Sequence, residues 1–287
     1  MSFSKTIAVL GGTGTTGSQV IKALLSSPNP PKIIALVRSP EKARSKIPSE
    51  VTLVPIRDST DVTSVTKALE GVDALYAMSP PQAEIQVTSD AVTALVRPFP
   101  CFGHIFGNER NGVMANSHVM KAAFNAKVKH IVYLSCIGAD PLSNIGVVRA
   151  HGIAEQIYKH YHHSLTVLRP SWFMDNFLTQ TRTLYLPPTA PPVPYISAQD
   201  IGLAAAKALS DGPEQHAGKI YELYDPKILS YPEISSIIGE SLEVPKPAVV
   251  EISNEEMVKA LEGLGDSEFS ARSSKYHLLS KLQHLQW

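Results

Sequence analysis

The sequence predicts a doubly wound α/β protein, a parallel β-sheet with helices on both faces, followed by a small C-terminal lobe. Three observations predict it. Short aliphatic runs without polar alternation recur through the first 170 residues, and longer amphipathic stretches separate them. A glycine-rich turn directly follows the first run. The regular alternation then stops near residue 170, where proline-rich and mixed segments begin.

The elements follow in order. Thr6–Leu10 reads as a buried strand, and Thr15–Ser26 as a helix with Val20, Ala23 and Leu24 on one face. Ile33–Val37 is a second strand, and Pro40–Ile47 a short helix opened by proline. Val51–Ile56 is a third strand, and Asp61–Glu70 a helix with an acidic cap. Val72–Ala77, Val128–Leu134 and Leu165–Leu168 continue the strand series, with helices over 113–126 and 147–161 between them. Beyond residue 170, the 183–195 segment holds five prolines and reads as an extended connection rather than a central strand. Asp200–Ser210, Tyr231–Leu242 and Asn254–Leu264 read as helices, and Lys219–Leu223 as extended. The 97–112 segment, with two prolines, three glycines and three phenylalanines, reads as a loop or lid. These boundaries suggest residues 1–170 as the sheet domain and 171–287 as a smaller lobe, partly interleaved with the sheet.

Composition narrows the function. Lys plus Arg equals Asp plus Glu at 26 each, so no global field attracts nucleic acid or an anionic membrane. No apolar stretch of about 18 residues could span a bilayer. Cys101 and Cys136 form neither a disulfide framework nor a C-x-x-C pair. A cytoplasmic protein with a small-molecule ligand is the expectation.

The ligand is read from the first turn. Gly11, Gly12, Thr13, Gly14, Thr15, Thr16 and Gly17 fit G-x-G-x-x-G between a strand and a helix. Glycines there allow a tight turn and close approach of backbone to a pyrophosphate, while the helix offers free N–H groups and its positive end. A site for NAD normally has a carboxylate at the end of the second strand to hold the ribose hydroxyls. This chain has Arg38 instead. A guanidinium suits a 2′-phosphate, so NADP(H) is expected over NAD(H). Asp58, after the third strand, is placed either for the adenine edge or as a cap for the helix near Asp61.

Further along, RAHGIAEQIY sets His151 and Glu155 one helical turn apart on one face. Such a pair can be acid and base, half a metal site, or a helix contact without chemistry. Two ligands are too few for a catalytic zinc, so no metal is expected. His160, His162 and His163 sit at the far end of that helix, where cations suit its dipole. Trp172 and Phe173 read equally as core packing or as a surface for stacking substrate. Cys136 reads as a small buried residue.

IAVLGGTGTTG, LVRSPEKA, VKHIVYLSCIGAD, RAHGIAEQIY and LTVLRPSWFMDNF occur in the order seen in NmrA-like proteins, a branch of the atypical short-chain dehydrogenases. The likeness continues through ISAQDIG and GKIYELYDPKILSYPEIS and covers most of residues 5–245. LRPSWFMDN and LSYPEIS also look like fungal alkaloid-pathway reductases of this branch. The resemblance implies a Rossmann fold with NADP(H) across the strand ends. It implies Met78 and Ser79 by the ribose, Pro170 to Phe173 by the nicotinamide, and Asn176 near substrate.

Two departures bear on mechanism. None of the ten tyrosines has a lysine four residues on, and His151 and Glu155 stand where relatives keep Tyr-x-x-x-Lys. The serine that assists that tyrosine is replaced near Ile137. Only 23 residues, rich in proline, separate Asn176 from Asp200, a region that in relatives is longer. The expected function is an NADP(H)-dependent oxidoreductase of secondary metabolism, acting on a medium-sized apolar carbonyl, enone, quinone or iminium, with His151 as the catalytic residue. The alternatives are a catalytically silent NAD(P)-sensing regulator that docks a partner protein, and a non-redox isomerase or cyclase using His151 as base.

Overall fold

A computed structural model describes residues 5–78, 110–143, 146–161, 164–179, 183–186 and 192–251, together with 253 and 256. Ser79, Cys101, His162, His163, most of the 97–112 segment and all but Glu256 of the helix expected over 254–264 lie outside the described residues.

The first half alternates strictly. β1 (Thr6–Leu10), α1 (Thr15–Leu25), β2 (Lys32–Val37), α2 (Pro40–Arg44), β3 (Thr52–Pro55), α3 (Val62–Ala68) and β4 (Ala74–Met78) come first. α4 (Arg110–Asn125), β5 (His130–Leu134), α5 (Gly146–Tyr161) and β6 (Leu165–Pro170) follow. The last three residues of the 97–112 segment thus open α4 rather than end a loop.

Every strand of the main sheet is parallel to its neighbours, in the order β3-β2-β1-β4-β5-β6. This is the doubly wound Rossmann order, in which the chain changes direction between β1 and β4. A seventh strand, β10 (Ile220–Leu223), extends the sheet beside β6. The strands lack polar alternation because both faces are covered. Ala8 and Leu10 pack with Val119, Met120, Ile153 and Ile157 on one side. Ile7 and Val9 pack with Val20, Ile21, Leu24, Ile201 and Leu209 on the other.

The remaining chain divides its residues between the sheet and a lobe. β7 (Trp172–Phe173) leads into a 3-10 helix (Met174–Thr179), β8 (Thr183–Leu186) and β9 (Val193–Ile196). α6 (Ala198–Asp211) then returns to cover the large sheet and packs on α1, and α7 (Pro213–His216) leads into β10. β11 (Ile228–Leu229), α8 (Tyr231–Leu242) and β12 (Ala248–Glu251) complete the described part. Leu184, Val193, Tyr195, Leu229, Ile234 and Ile238 make a third core, which Ile137 joins from the loop after β5. The lobe therefore sits at the carboxyl end of β5.

The proline-rich segment differs from the sequence reading. Thr183–Leu186 pairs with β12, and Val193–Ile196 is the middle strand of the small sheet β11-β9-β7. Pro194 is tolerated there because both neighbours are two-residue strands that require few bonds from it. Its carbonyl accepts from Ser171 Oγ at 2.6 Å.

α6 lies so close to α1 that a Cβ at Gly202 would come within 2.7 Å of the Gln19 backbone carbon and Cβ. Gly202→Ala must push the two helices apart, which costs roughly 1–3 kcal/mol. Urea denaturation should show that loss, whereas Leu203→Ala, at an exposed neighbouring position, should change stability by less than about 0.5 kcal/mol.

Candidate dinucleotide and active site

The carboxyl ends of the parallel strands share one edge of the sheet, and the candidate residues gather along it. Gly11, directly after β1, has φ +72°, a left-handed conformation that favours glycine. Its carbonyl accepts from Gly14 N–H at 2.9 Å, closing the turn. Gly17 packs against that same carbonyl with no space for a side chain. Thr16 is buried and receives the Tyr76 hydroxyl at 3.1 Å, tying α1 to β4. Thr13, Gly14 and Thr15 are exposed at the apex, and the first turn of α1 has no acidic side chain. The helix start is thus a concave, electropositive edge made of backbone N–H groups, suited to a pyrophosphate.

Arg38, the first residue after β2, is exposed, and its guanidinium makes no hydrogen bond or ion pair among the described residues. Asp58 does not cap α3. Asp61 does, accepting from Ser64 N–H at 3.1 Å. Asp58 instead accepts from the N–H and hydroxyl of Thr60, at 2.9 and 2.8 Å, both on one carboxylate oxygen. Its charge acts on His118 of α4, whose imidazole is held below its ordinary pKa mainly by burial. Met78 ends β4 beside the glycine turn, with its sulfur 2.5 Å from where a Gly11 Cβ would stand. These groups would hold a dinucleotide with its phosphates at α1 and its adenosine end toward Arg38 and Asp58.

The other end of the edge is set by β5, β6 and α5. Pro170 closes β6, and its carbonyl accepts from Ile137 N–H at 2.9 Å. Trp172 is 37% exposed, while Phe173 packs partly into the core between sheet and α6. Asn176 is exposed on the 3-10 helix, which Asp175 ties to α6 by accepting Ala198 N–H at 2.7 Å.

His151 Nδ1 lies 3.0 Å from the hydroxyl of Tyr133, a buried β5 residue whose ring stacks on Tyr158. Desolvation lowers the His151 pKa from 6.5 to about 4, so the imidazole is neutral at pH 7. His151 and Glu155 share a face of α5 but have different partners. Glu155 accepts the Ser135 hydroxyl at 2.5 Å and both arms of Arg169 at 2.9 and 2.6 Å. Cys136 stands beside this pair, and burial pushes its thiol up to about 12. It is not a nucleophile at neutral pH. Among the described residues no group of three or more His, Cys, Asp or Glu could hold a metal ion, and no helix is long and apolar enough to cross a membrane.

Tyr133, Ser135 and Arg169 were not singled out from the sequence. A tyrosine inside an aliphatic strand does signal a polar tip that needs a partner. An arginine next to the end of the strand LTVLRP is a similar signal.

A family model described as NAD(P)H-binding matches residues 11–212. The chain belongs to that NAD(P)H-binding family. Among its relatives, it is 28% identical to an NAD(P)H azoreductase of Xenophilus azovorans, over 91% of this chain and 82% of that one. It is 29% identical to quinone oxidoreductase 2 of Escherichia coli, over 76% and 68%. The solved structure of Citrobacter triphenylmethane reductase complexed with NADP(H) matches with TM-score 0.71 and 25% identity, over 96% of this chain and 94% of that one. The NmrA-like resemblance also holds. Agroclavine dehydrogenase of Claviceps fusiformis is 26% identical over 81% of the chain and 72% of its own length. The fold of NmrA, a negative transcriptional regulator, matches with TM-score 0.60 at 18% identity, over 87% and 75%.

The half-buried His151 imidazole, desolvated by its surroundings, makes stability depend on pH. Between about 4 and 6.5, the unfolded chain binds a proton that native His151 refuses. Stability from this group is therefore complete above 6.5 and declines as pH falls toward 4. From pH 7 to pH 5 the decline should be about 2 kcal/mol. His151→Gln should remove that part of the slope in urea titrations at the two pH values. An unchanged slope would contradict the shifted pKa.

Proposed function

We propose that the chain is an NADP(H)-dependent oxidoreductase that reduces a medium-sized apolar acceptor, of which quinones and iminium compounds are the favoured classes. The observation that carries the reading is the open glycine turn at α1 with Arg38 beside it, exposed and unpaired among the described residues. The turn offers backbone N–H donors to a pyrophosphate. Arg38 offers a planar fork to the 2′-phosphate that separates NADP(H) from NAD(H). The bound dinucleotide supplies hydride at the nicotinamide ring, and the chain supplies position and electrostatics. Support for small redox-active acceptors also comes from the azoreductase and quinone oxidoreductase among the relatives.

His151 is the residue nearest to chemistry. Held neutral by burial, it is not a ready store of an acidic proton at pH 7. It can donate or accept one hydrogen bond at the nitrogen that does not face Tyr133. Such a group suits acceptors whose own conjugation spreads the arriving charge. A quinone needs little help from a protein acid, whereas an isolated ketone needs much. Tyr133 does not replace the missing tyrosine of the short-chain dehydrogenases, because its ring is fully buried and its hydroxyl is engaged with His151. Pro170, Trp172, Phe173 and Asn176 are assigned to the nicotinamide and substrate side. A substrate of the kind made in secondary metabolism fits this apolar, aromatic rim.

Purified protein should oxidise NADPH in the presence of 1,4-naphthoquinone. No oxidation with any of a panel of quinones, enones and iminium salts would sink the proposal, and dinucleotide-dependent capture of a protein partner would then favour the regulator. Arg38→Asp should weaken NADPH binding about 10–100-fold, the value of one charge-assisted contact, and leave NADH within about threefold. Equal losses for both nucleotides would refute the 2′-phosphate assignment.

A further inference from the structure

His151 and Glu155, one turn apart on α5, divide into two roles. Three contacts fix α5 against the strand ends within about one helical turn. At His151, Nδ1 meets the Tyr133 hydroxyl of β5 at 3.0 Å. At Gly152, the helix presses on the backbone of Asp140 and Pro141 with no space for a Cβ. At Glu155, the carboxylate takes Ser135 from the end of β5 and Arg169 from the end of β6. The two strand ends are themselves joined past the sheet, with Ser135 N–H donating to Leu168 at 2.8 Å and Ile137 N–H to Pro170 at 2.9 Å. Glu222 of β10 pairs in register with Arg169 and adds a second negative charge, but Arg169 gives its fork to Glu155.

A glycine in a tight helix contact permits sliding and rotation, because it presents no side chain to interlock. The rotation of α5 must therefore be set on either side of Gly152. The hydroxyl contact at His151 is one hydrogen bond. The contact at Glu155 is a two-armed ion pair with a hydroxyl added, nearly out of water, and much the stiffer of the two. We propose that Glu155 is a positioning residue: by anchoring α5 to Ser135 and Arg169, it fixes where His151 stands relative to Tyr133 and Pro170. Its part in turnover rests on the oxidoreductase reading above; its effect on the imidazole does not.

The test follows His151 by ¹⁵N imidazole NMR in wild type, Glu155→Gln and Ser135→Ala, with His216, far along the chain in α7, as the internal control. Ser135→Ala removes one hydroxyl and keeps the ion pair, so it tests the anchor even if Glu155→Gln does not fold. The anchor predicts that the His151 resonance and titration move in either variant while His216 stays fixed. An unmoved His151 resonance in both folded variants would overturn it. Turnover gives the second arm. Glu155→Gln should lower kcat with a quinone about 10–100-fold with KM changed less than about threefold. The same substitution in a His151→Ala background should cost less than about twofold, because the two act through one group. Equal losses in both backgrounds would overturn the inference. If the wild type consumes no NADPH, the functional proposal falls, and the NMR arm still decides the anchor.

Discussion

Gly17 has no room for a side chain, because a Cβ there would stand against the carbonyl of Gly11. That close approach brings the start of α1 onto the end of β1, and much else follows from it. Gly11 must turn in the left-handed region to let the chain pass. A Cβ at Gly12 would stand 2.8 Å from the end of the Ile21 side chain, so the turn also seats the helix on its own core. Once α1 is seated, its first N–H groups point outward along the edge where β2, β4 and β6 also end. A side chain at Gly17 would lift the helix and remove the cradle, the cover over Ile7 and Val9, and the surface that receives α6.

The same edge is divided by charge and burial into two halves. Toward β2 and β3 it is open, with Arg38 exposed and Asp58 engaged by Thr60 through a single oxygen. Toward β5 and β6 it is desolvated at its base, with Tyr133 stacked, His151 half-buried and neutral and Glu155 locked to Arg169, while Trp172 and Asn176 stand exposed at its rim. An open polar half suits phosphates, which arrive hydrated and are held by fixed donors. A desolvated half suits hydride transfer, where water would compete for the acceptor and weaken every local field.

How much of this was legible depended on whether the cause was local. The strands of the large sheet could be read because both faces are buried, which makes IAVL and IVYL uniformly apolar. α8 starts at Tyr231 as read, since Ser230 and Glu233 form a capping box with Pro232 in the first turn. The glycine turn was readable for the same reason: its steric demand lies within seven residues. The tie between Glu155 and Arg169 was not, because it joins two elements whose contact only the packing of α5 creates. The sequence put a helix neighbour, His151, beside Glu155, whereas the fold gave that carboxylate a guanidinium 14 residues away. Ser135, two residues before Ile137, was likewise not read as a partner of Glu155, because its hydroxyl meets that carboxylate only through the packing of α5 on β5. β9 was missed because proline reads as a breaker, and its partners are too short to show a period of two.

The proposed site lays a dinucleotide along the strand ends with its phosphates on α1. Amide hydrogen exchange with and without NADPH tests it most directly. Binding should protect the turn and first helical turn, residues 11–18, and Arg38 and Ser39, with little change in α7 at the opposite end of the sheet. Unchanged exchange at residues 11–18 under saturating NADPH, or protection confined to another surface, would contradict it.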